Sequence, residues 1–300
     1  DYVGRPDVQA FISEIAERHQ WDPAQLTPIM EAAVYQPTVI RLILPGTKAT
    51  RSWSRYRANM VNATRINQGV QFWQENQEAL ARAEAETGVP AAIIVAILGV
   101  ETGYGRIMGN FRLIDALTTL AFDYPRRSAF FRQELEEFLL LCGEQGWDPL
   151  TIKGSYAGAI GLPQFMPSSY RTYAVDYDND GHILLFSSPS DAIGSVANYL
   201  KEKGWVRNGP IAEPVTLGAT LPDTPEWQSP TIVPKLTSLQ LEPFSPEWES
   251  DVPTASFALI PLETPQKPTE YWIGFQNFYV ITRYNKSSFY AMSVYQLAEA

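Results

Sequence analysis

The chain has 300 residues, of which 45% are hydrophobic and 12% aromatic, a composition typical of globular proteins with one large or two to three smaller domains. Lysine and arginine number 23 against 33 aspartates and glutamates, which gives a net charge of −10 at pH 7. This charge repels phosphate backbones and anionic lipid headgroups at long range, so nucleic acid is not expected as a partner.

Histidine and cysteine are too scarce for several kinds of catalytic site. The only histidines are His19 and His182, and Cys142 is the only cysteine. A three-histidine zinc site or a mixed cysteine and histidine site therefore cannot be assembled. Cys142 follows three leucines, where a small buried hydrophobic residue is the expected role.

The first two thirds of the chain are predicted to be helical. Apolar residues at helical spacing assign residues 1–70 to an N-terminal helical domain. The apolar run 91–100 predicts a buried helix that is too short to span a bilayer, which needs about 20 residues. Residues 128–141 predict an amphipathic helix with Phe130 and Phe131 facing the core.

The sequence pattern changes at Arg207. Twelve of the 23 prolines lie between residues 207 and 270, and this segment is assigned to a small β-rich domain. Its predicted β-type runs are Thr231–Val233, Ser238–Leu241 and Ser256–Ile260. Residues 271–300 resume helical spacing and are predicted to return to a catalytic core that comprises residues 71–206.

Glu101 is the first candidate for chemistry. In Val100-Glu101-Thr102-Gly103-Tyr104-Gly105 a carboxylate ends the apolar helix. Desolvation and the negative end of the helix dipole both raise a carboxyl pKa, and a glutamic acid that is neutral near pH 7 can act as a general acid. A solvent-facing glutamate at a fraying helix end is the alternative, which this segment alone leaves open.

A glycine-rich segment supplies neutral polar groups. It reads Gly154-Ser155-Tyr156-Ala157-Gly158-Ala159-Ile160-Gly161-Leu162-Pro163-Gln164-Phe165-Met166-Pro167-Ser168-Ser169-Tyr170. Small residues let a ligand approach the backbone closely, while Ser155 and Gln164 offer donors and acceptors suited to sugar hydroxyl and acetamido groups. A tight loop without a ligand fits the same residues equally well.

Together the two segments resemble the bacterial lytic transglycosylases, and most closely the membrane-bound lytic transglycosylase B type. Four further segments are similar to that pattern in order and spacing: Leu113–Leu120, Tyr124–Arg127, Asp191–Tyr199 and Thr282–Asn285. The resemblance extends from about Tyr56 to Leu297.

The resemblance implies an α+β, mainly α fold, with a lysozyme-like core, a helical domain and a small β-rich domain. It implies cleavage of the β-1,4 bond between N-acetylmuramic acid and N-acetylglucosamine in peptidoglycan, with a 1,6-anhydromuramoyl product. Glu101 matches the single catalytic acid/base of the family. The positions that match its saccharide-binding groove are Tyr56, Ser155, Gln164, Tyr199, Tyr284, Asn285 and Tyr290.

The resemblance also implies the setting in which the protein acts. The expected partners are peptidoglycan glycan strands, with no organic cofactor, and the expected state is a monomer. The expected location is the periplasm, in a soluble or an outer-membrane-anchored form, so a lipid anchor in the precursor stays open. No signal peptide is recognised at the first residues, and an exported protein would be the mature form.

The segment 176–187 resembles an EF-hand calcium loop. Asp176, Asp178 and Asp180 occupy loop positions 1, 3 and 5, and the carbonyl of His182 occupies position 7. Position 12, where the pattern has a bidentate acid, is a serine. Asp191 follows in a capping-box pattern and is expected to cap a helix. We expect a structural Ca²⁺ of lowered affinity, with a solvated acidic turn as the alternative.

Two rival functions remain at this point. A muramidase would use the same glutamate but add water and release reducing ends. A non-catalytic, calcium-dependent cell-wall-binding protein would need only the acidic loop and the aromatic residues. The apolar helix that leads into Glu101 argues against the second rival.

Overall fold

A computed structural model describes residues 1–46 and 51–300. The helices in chain order are α1 (Pro6–His19), α2 (Pro23–Ala32), α3 (Pro37–Ile43), α4 (Trp53–Met60), α5 (Ala63–Glu75), α6 (Gln77–Thr87), α7 (Ala91–Thr102), α8 (Leu113–Asp123), α9 (Ser128–Gln145), α10 (Pro167–Tyr173), α11 (Pro189–Glu202), α12 (Pro225–Gln228), α13 (Ser238–Leu241), α14 (Gln276–Tyr284) and α15 (Ser288–Glu299). The strands are β1 (Phe111–Arg112), β2 (Lys153–Gly154), β3 (Ala212–Leu217), β4 (Pro246–Trp248), β5 (Ala258–Leu262) and β6 (Glu270–Gly274). The prediction of a mainly helical α+β fold is confirmed.

The strands form two small antiparallel sheets. β1 and β2 make a two-stranded sheet in which Phe111 pairs with Gly154. The other four strands make a sheet in the order β4-β3-β6-β5. β3 pairs with β4 through Val215 and Trp248, and with β6 through Ala212 and Gly274.

The described chain forms two compact units, each built from two separate stretches. One unit comprises residues 1–46 and 105–192, and the other comprises the described part of 47–104 together with 193–300. The division into consecutive domains proposed from the sequence stays a prediction.

In the first unit, α8 and α9 pack against each other. α8 is buried along nearly its whole length because its residues are almost all apolar or small. On α9, Phe131, Leu135 and Phe138 are buried as predicted. Phe130 is instead 38% exposed, and the Arg127 guanidinium lies 4.2 Å from the centre of its ring. The expectation that Phe130 faces the core is therefore wrong, since a cation covers this ring at the surface.

In the second unit, α7 is the most completely buried helix described for that unit. Its residues from Ile93 to Gly99 are all buried, and α5, α6 and α15 pack around it. A helix that is apolar on all sides requires such surroundings, and the buried helix predicted at residues 91–100 is confirmed.

The proline-rich segment of the second unit and the residues directly after it share a hydrophobic cluster. Its buried members are Val215, Leu241, Phe257, Leu259, Ile273 and Phe275. The predicted strand at Ser256–Ile260 overlaps β5, whereas Thr231–Val233 lies outside the strands. Ser238–Leu241 is a helical turn rather than a strand, because Thr237 and Gln240 form a capping box that closes it.

No single helix among the described residues is long and apolar enough to cross a membrane. The consecutive helices Gln77–Thr87 and Ala91–Thr102 pass that test only as a pair, and they bend by 116° at the break between them.

Phe257 gives a test of the cluster beneath the four-stranded sheet. Its side chain is fully buried, and the Trp248 ring lies 5.9 Å away. Phe257→Ala should lower the free energy of unfolding of this region by about 3–5 kcal/mol, because it removes buried apolar contacts and leaves a cavity. Urea titration followed by tryptophan fluorescence measures the change.

The matched control is Leu239→Ala, since Leu239 is 69% exposed and its truncation should change stability by less than about 0.5 kcal/mol. Equal urea midpoints for the two variants would contradict the assignment of Phe257 to a core.

Candidate active site

α7 ends directly after Glu101 and Thr102 because Gly103 adopts a left-handed conformation, with φ 57°. The N–H of Gly103 donates to the carbonyl of Gly99 at 2.9 Å, and the N–H of Tyr104 donates to the carbonyl of Leu98 at 3.1 Å. These two bonds form a Schellman-type ending. The apolar helix and its glycine stop thus place the Glu101 carboxyl in the last turn, at the negative end of the helix dipole.

The Glu101 residue as a whole is half-buried, and its carboxyl lies close to tyrosine side chains of α14 and α15. The Tyr290 hydroxyl donates a hydrogen bond to Glu101 Oε1 at 2.8 Å. Burial raises the pKa of Glu101 from 4.5 to about 7, and the bond from Tyr290 offsets part of that rise because it favours the anion. A carboxyl with this pKa can both give and take a proton near neutrality.

Tyrosines from α11, α14 and α15 form one cluster beside this carboxyl. The rings of Tyr284 and Tyr290 are stacked with centroids 6.4 Å apart, and Tyr199 meets Tyr284 edge-on at 5.0 Å. The Tyr199 hydroxyl donates to the carbonyl of Arg283 at 2.7 Å, which fixes its ring. Burial raises the pKa of Tyr284 and of Tyr290, and the nearby negative charge of Glu101 adds to both shifts.

Tyr56 reaches the same region from α4. Its ring lies 5.7 Å from that of Phe289, the residue that precedes Tyr290 on α15. Burial raises the pKa of the Tyr56 hydroxyl, with a further contribution from Glu101. Asn285 directly follows α14 and is exposed. Of the residues matched to the saccharide groove, Tyr56, Tyr199, Tyr284, Asn285 and Tyr290 therefore lie in the same unit as Glu101.

Ser155 and Gln164 belong to the other unit, in the glycine-rich loop. The Ser155 hydroxyl accepts from the N–H groups of Ala157 at 3.3 Å and Ala159 at 3.0 Å. The Gln164 side-chain amide donates to the carbonyl of Met108 at 3.2 Å and of Gly161 at 2.9 Å. Both side chains thus organise the loop itself, and their contact with a sugar stays a prediction.

Close backbone packing explains at least one glycine of this loop. Gly161 has φ 77°, and a Cβ there would lie 2.4 Å from the carbonyl oxygen of Leu185. The tight-loop interpretation of the glycine pattern therefore holds at this position, whatever the segment binds.

The acidic loop brings four carboxylates together in the first unit. Asp176, Asp178, Asp180 and Asp191 each have an oxygen within 4.8 Å of the others. Oxygen donors of this kind suit a hard divalent cation such as Ca²⁺. Two loop aspartates also accept backbone hydrogen bonds: Gly181 donates to Asp176 at 2.9 Å and His182 donates to Asp180 at 2.8 Å.

Asp191 does not take the helix-capping role expected for it. The Ser188 hydroxyl caps the helix by accepting from the N–H of Asp191 at 3.2 Å. The buried Asp191 carboxylate instead accepts from the N–H groups of Tyr177 at 2.8 Å and Leu184 at 2.9 Å, on either side of the loop. Burial raises the pKa of Asp191, and repulsion by Asp178 adds to the shift. Sequence reasoning missed its place in the carboxylate group because the capping-box pattern offered a sufficient local explanation.

Phe289 is a second residue that the sequence analysis missed. It lies between Trp53 and Tyr56 of α4, with ring centroids at 5.4 Å and 5.7 Å. Its position directly before Tyr290, in a segment rich in aromatic residues, is the only signal that could have identified it.

Comparison with known proteins places the chain in a family. Residues 4–299 match the family model described as the transglycosylase SLT domain. The chain is 42% identical to membrane-bound lytic murein transglycosylase B of Escherichia coli K12, over all of this chain and 84% of that protein. The catenated lytic transglycosylase SltB1 of Pseudomonas aeruginosa is 45% identical, with a TM-score of 0.91 over 100% of this chain and 98% of that one. The Escherichia coli lytic transglycosylase Slt35 in complex with calcium is 42% identical, with a TM-score of 0.90 over 100% and 93%.

The raised pKa of Glu101 makes a prediction about stability. A carboxyl whose pKa rises from 4.5 in the unfolded chain to about 7 in the folded one destabilises the fold increasingly as pH rises through that interval. Glu101→Gln lacks the ionised form. The free energy of unfolding of Glu101→Gln should therefore exceed that of the parent protein, by an amount that grows from about zero below pH 4.5 to on the order of 3 kcal/mol above pH 7.

Urea titrations of both proteins across this range measure the difference. Glu84→Gln, at an exposed position on α6, serves as the control and should show no such trend. A constant difference between Glu101→Gln and the parent protein across the range would contradict the raised pKa.

Proposed function

The chain belongs to the lytic murein transglycosylases of the membrane-bound B type, and we propose that it cleaves the β-1,4 bond between N-acetylmuramic acid and N-acetylglucosamine in peptidoglycan with Glu101 as its only acid/base. The observation that carries this proposal is the Glu101 carboxyl at the end of α7, whose burial raises its pKa to about 7. One group with this pKa can serve as the acid and then as the base of a single reaction.

The proposed reaction needs two proton transfers at the same carboxyl. Neutral Glu101 gives its proton to the glycosidic oxygen as the bond from that oxygen to C1 of the muramic residue breaks. The carboxylate then takes the proton of the muramic C6 hydroxyl as the C6 oxygen bonds to C1, which yields the 1,6-anhydro ring. The glutamic acid is regenerated and no water is consumed.

Tyr290 would support the second half of this cycle. Its hydroxyl already donates to Glu101 Oε1 at 2.8 Å, and a hydrogen bond to the carboxylate is a charge-assisted one that is stronger than a bond to the neutral acid. Tyr290 would therefore stabilise the anion that exists between the two transfers. The buried aromatic cluster would limit access of water, which would otherwise compete with the C6 hydroxyl at C1.

The remaining groove residues are proposed as sugar contacts. Aromatic faces of Tyr56, Tyr199 and Tyr284 suit the apolar faces of sugar rings, while the exposed Asn285 offers an amide to hydroxyl or acetamido groups. Ser155 and Gln164 are retained as substrate contacts on the strength of the family resemblance. The acidic protein gains no long-range attraction to anionic peptidoglycan, so short-range contacts of this kind would supply the affinity.

The cellular setting completes the proposal. The relatives are named as murein and lytic transglycosylases, one of them membrane-bound, and we assign this chain to the bacterial periplasm, as a monomer acting on glycan strands. A soluble and an outer-membrane-anchored form would share the same chemistry at Glu101.

Substitution of the proposed acid is the test of this function. Glu101→Gln retains the shape and a hydrogen-bonding group but cannot transfer the proton, so turnover of purified sacculi should fall on the order of 10²–10⁴-fold. Mass spectrometry of the soluble fragments should show 1,6-anhydromuramic ends for the parent protein and for the Glu84→Gln control.

Other product patterns separate the rival functions. Reducing-end muramic acid as the main product would identify a hydrolytic muramidase. Sacculi that bind the protein but release no fragments would identify a non-catalytic binding protein. Substantial turnover by Glu101→Gln would contradict its role in either enzyme.

We also propose a structural Ca²⁺ in the acidic loop, with no organic cofactor. Slt35 has been determined in complex with calcium, and the four clustered carboxylates of this chain supply the oxygen donors that Ca²⁺ prefers. Asp176, Asp178, Asp180 and the carbonyl of His182 would hold the ion, and Asp191 lies close enough to take part. A bound cation would neutralise the mutual repulsion of these carboxylates.

Calcium should therefore raise the melting temperature. A ligand that binds only the folded state stabilises it by about 2.7 kcal/mol at a hundredfold excess over its Kd. Millimolar Ca²⁺ should raise the melting temperature relative to EDTA, and Mg²⁺ should be less effective because it demands a tighter octahedral site. Differential scanning fluorimetry measures both effects.

Asp178→Ala should abolish the calcium effect, while Asp251→Ala, at an exposed position in the other unit, should retain it. Identical melting curves with EDTA and with Ca²⁺ would contradict the proposed Ca²⁺ site and indicate that the loop is a solvated acidic turn.

A further inference from the structure

Two glycines on neighbouring helices face the same tyrosine hydroxyl. A Cβ at Gly69 on α5 would lie 2.4 Å from the Tyr104 hydroxyl oxygen, and a Cβ at Gly99 on α7 would lie 2.5 Å from it. Real Cβ atoms do not approach oxygen this closely. The Tyr104 side chain therefore fits between α5 and α7 only because neither position carries a side chain.

Tyr104 is held in this place by its backbone and by its hydroxyl. It has φ 62°, a left-handed conformation unusual for a non-glycine residue, directly after the Gly103 stop of α7. Its hydroxyl donates to the backbone carbonyl of Arg65 at 2.8 Å, and its ring stacks on Phe72 at 5.6 Å. The residue directly after the Gly103 stop is thus anchored to α5 at two points.

The Arg65 side chain ties the same helix end to α4. Its Nη1 donates to the carbonyl of Gly99 at 2.5 Å, and its Nη2 donates to the carbonyl of Asn59 at 3.2 Å. Both carbonyls belong to the last turn of their helix, where a cation is favoured by the helix dipole. One guanidinium thereby connects the last turn of α7, where Glu101 lies, to the last turn of α4, the helix to which Tyr56 belongs.

We propose that Tyr104 and Arg65 are positioning residues that fix the last turn of α7, and with it the Glu101 carboxyl opposite the Tyr290 hydroxyl. The proposal rests on the function proposed for Glu101. Neither residue touches the sugar or the reacting atoms in this account. Each acts through the backbone between Leu98 and Tyr104, because that turn cannot rotate or slide while both anchors are in place.

Loss of a positioning residue should affect turnover but leave substrate binding nearly unchanged. A shift of about 1 Å at a reacting group can reduce the rate by up to about a hundredfold, whereas sugar contacts made by Tyr284 and Asn285 would persist. Loss of either anchor should therefore lower kcat while leaving KM nearly unchanged. Substitution of residues that serve only general stability would instead lower the melting temperature and leave the kcat of the folded protein unchanged.

A double-mutant cycle between Gly69 and Tyr104 tests the proposal. Gly69→Ala pushes on the hydroxyl and should lower kcat on the order of tenfold to a hundredfold, with KM within about threefold of the parent value. Tyr104→Phe loses only the hydroxyl and keeps the ring stacked on Phe72, so its own kcat should fall by less than that of Gly69→Ala. Without the oxygen, the nearest ring carbon lies 3.1 Å from the new Cβ. The double variant should thus recover to the kcat of Tyr104→Phe alone.

Gly99→Ala provides the matched contrast within the same cycle. Ring carbons of Tyr104 lie 2.6 Å and 2.8 Å from a Cβ at this position, so removal of the hydroxyl cannot relieve the clash. Tyr104→Phe should therefore rescue Gly69→Ala and fail to rescue Gly99→Ala. Rescue of both variants, or of neither, would overturn the assigned geometry.

Arg65 is tested with one disruptive and one conservative variant. Arg65→Met should lower kcat with little change in KM, and Arg65→Lys should restore part of it because a lysine can donate to one of the two carbonyls. Arg82→Met, which removes an exposed arginine paired with Glu86 on α6, is the control and should retain full kcat. Assays run well below each melting temperature, on protein whose fold is verified by circular dichroism, exclude unfolding as the cause.

The outcomes distinguish this inference from the proposed function. If Glu101→Gln loses turnover while folded Gly69→Ala and Arg65→Met keep the parent kcat, Glu101 is the acid and the positioning proposal is wrong. If Glu101→Gln keeps its turnover, the proposed function itself fails.

Discussion

The desolvation of one carboxyl group is the constraint on which this structure depends. Glu101 ends a helix whose preceding residues are almost all buried, so its charge is removed from water and from the favourable end of a helix dipole. A folded protein tolerates such a group by keeping it neutral, and burial raises its pKa to about 7 accordingly. The hydrogen bond from Tyr290 prevents a larger rise. The balance of these two effects holds the group near the pH at which it can act both as acid and as base.

That balance requires the carboxyl to be held in place. The helix stop at Gly103, the left-handed Tyr104 and the guanidinium of Arg65 all act on the same turn. α15 also contributes, because Tyr290 lies on its first turn and donates to Glu101. The Ser287 hydroxyl accepts from the N–H of Tyr290 and so caps the helix that presents the Tyr290 hydroxyl to Glu101. The end of α7 and the start of α15 thus determine the geometry around the Glu101 carboxyl.

The sequence predicted those features whose cause is local. The apolar run, the glutamate and the glycines after it are contiguous, so the buried helix and its end could be derived from periodicity and glycine conformation alone. The tyrosines near Glu101 come from positions up to 189 residues away in sequence, and only family resemblance identified them. Ser238–Leu241 was mistaken for a strand because its apolar alternation also fits one helical turn, and the capping box formed by Thr237 and Gln240 decided between them. The role of Asp191 could not be read from the sequence, because its contacts with Tyr177 and Leu184 depend on how the loop folds back.

The central claim is that Glu101 is neutral at the start of the reaction because burial outweighs the bond from Tyr290. The most direct measurement is a ¹³C NMR titration of protein labelled at glutamate side-chain carboxyl carbons, with the Glu101 signal assigned by its absence from Glu101→Gln. We expect a midpoint near pH 7, and a higher midpoint in Tyr290→Phe because that variant loses the hydrogen bond that favours the anion. A Glu101 signal that titrates near its ordinary pKa of 4.5 would contradict the account.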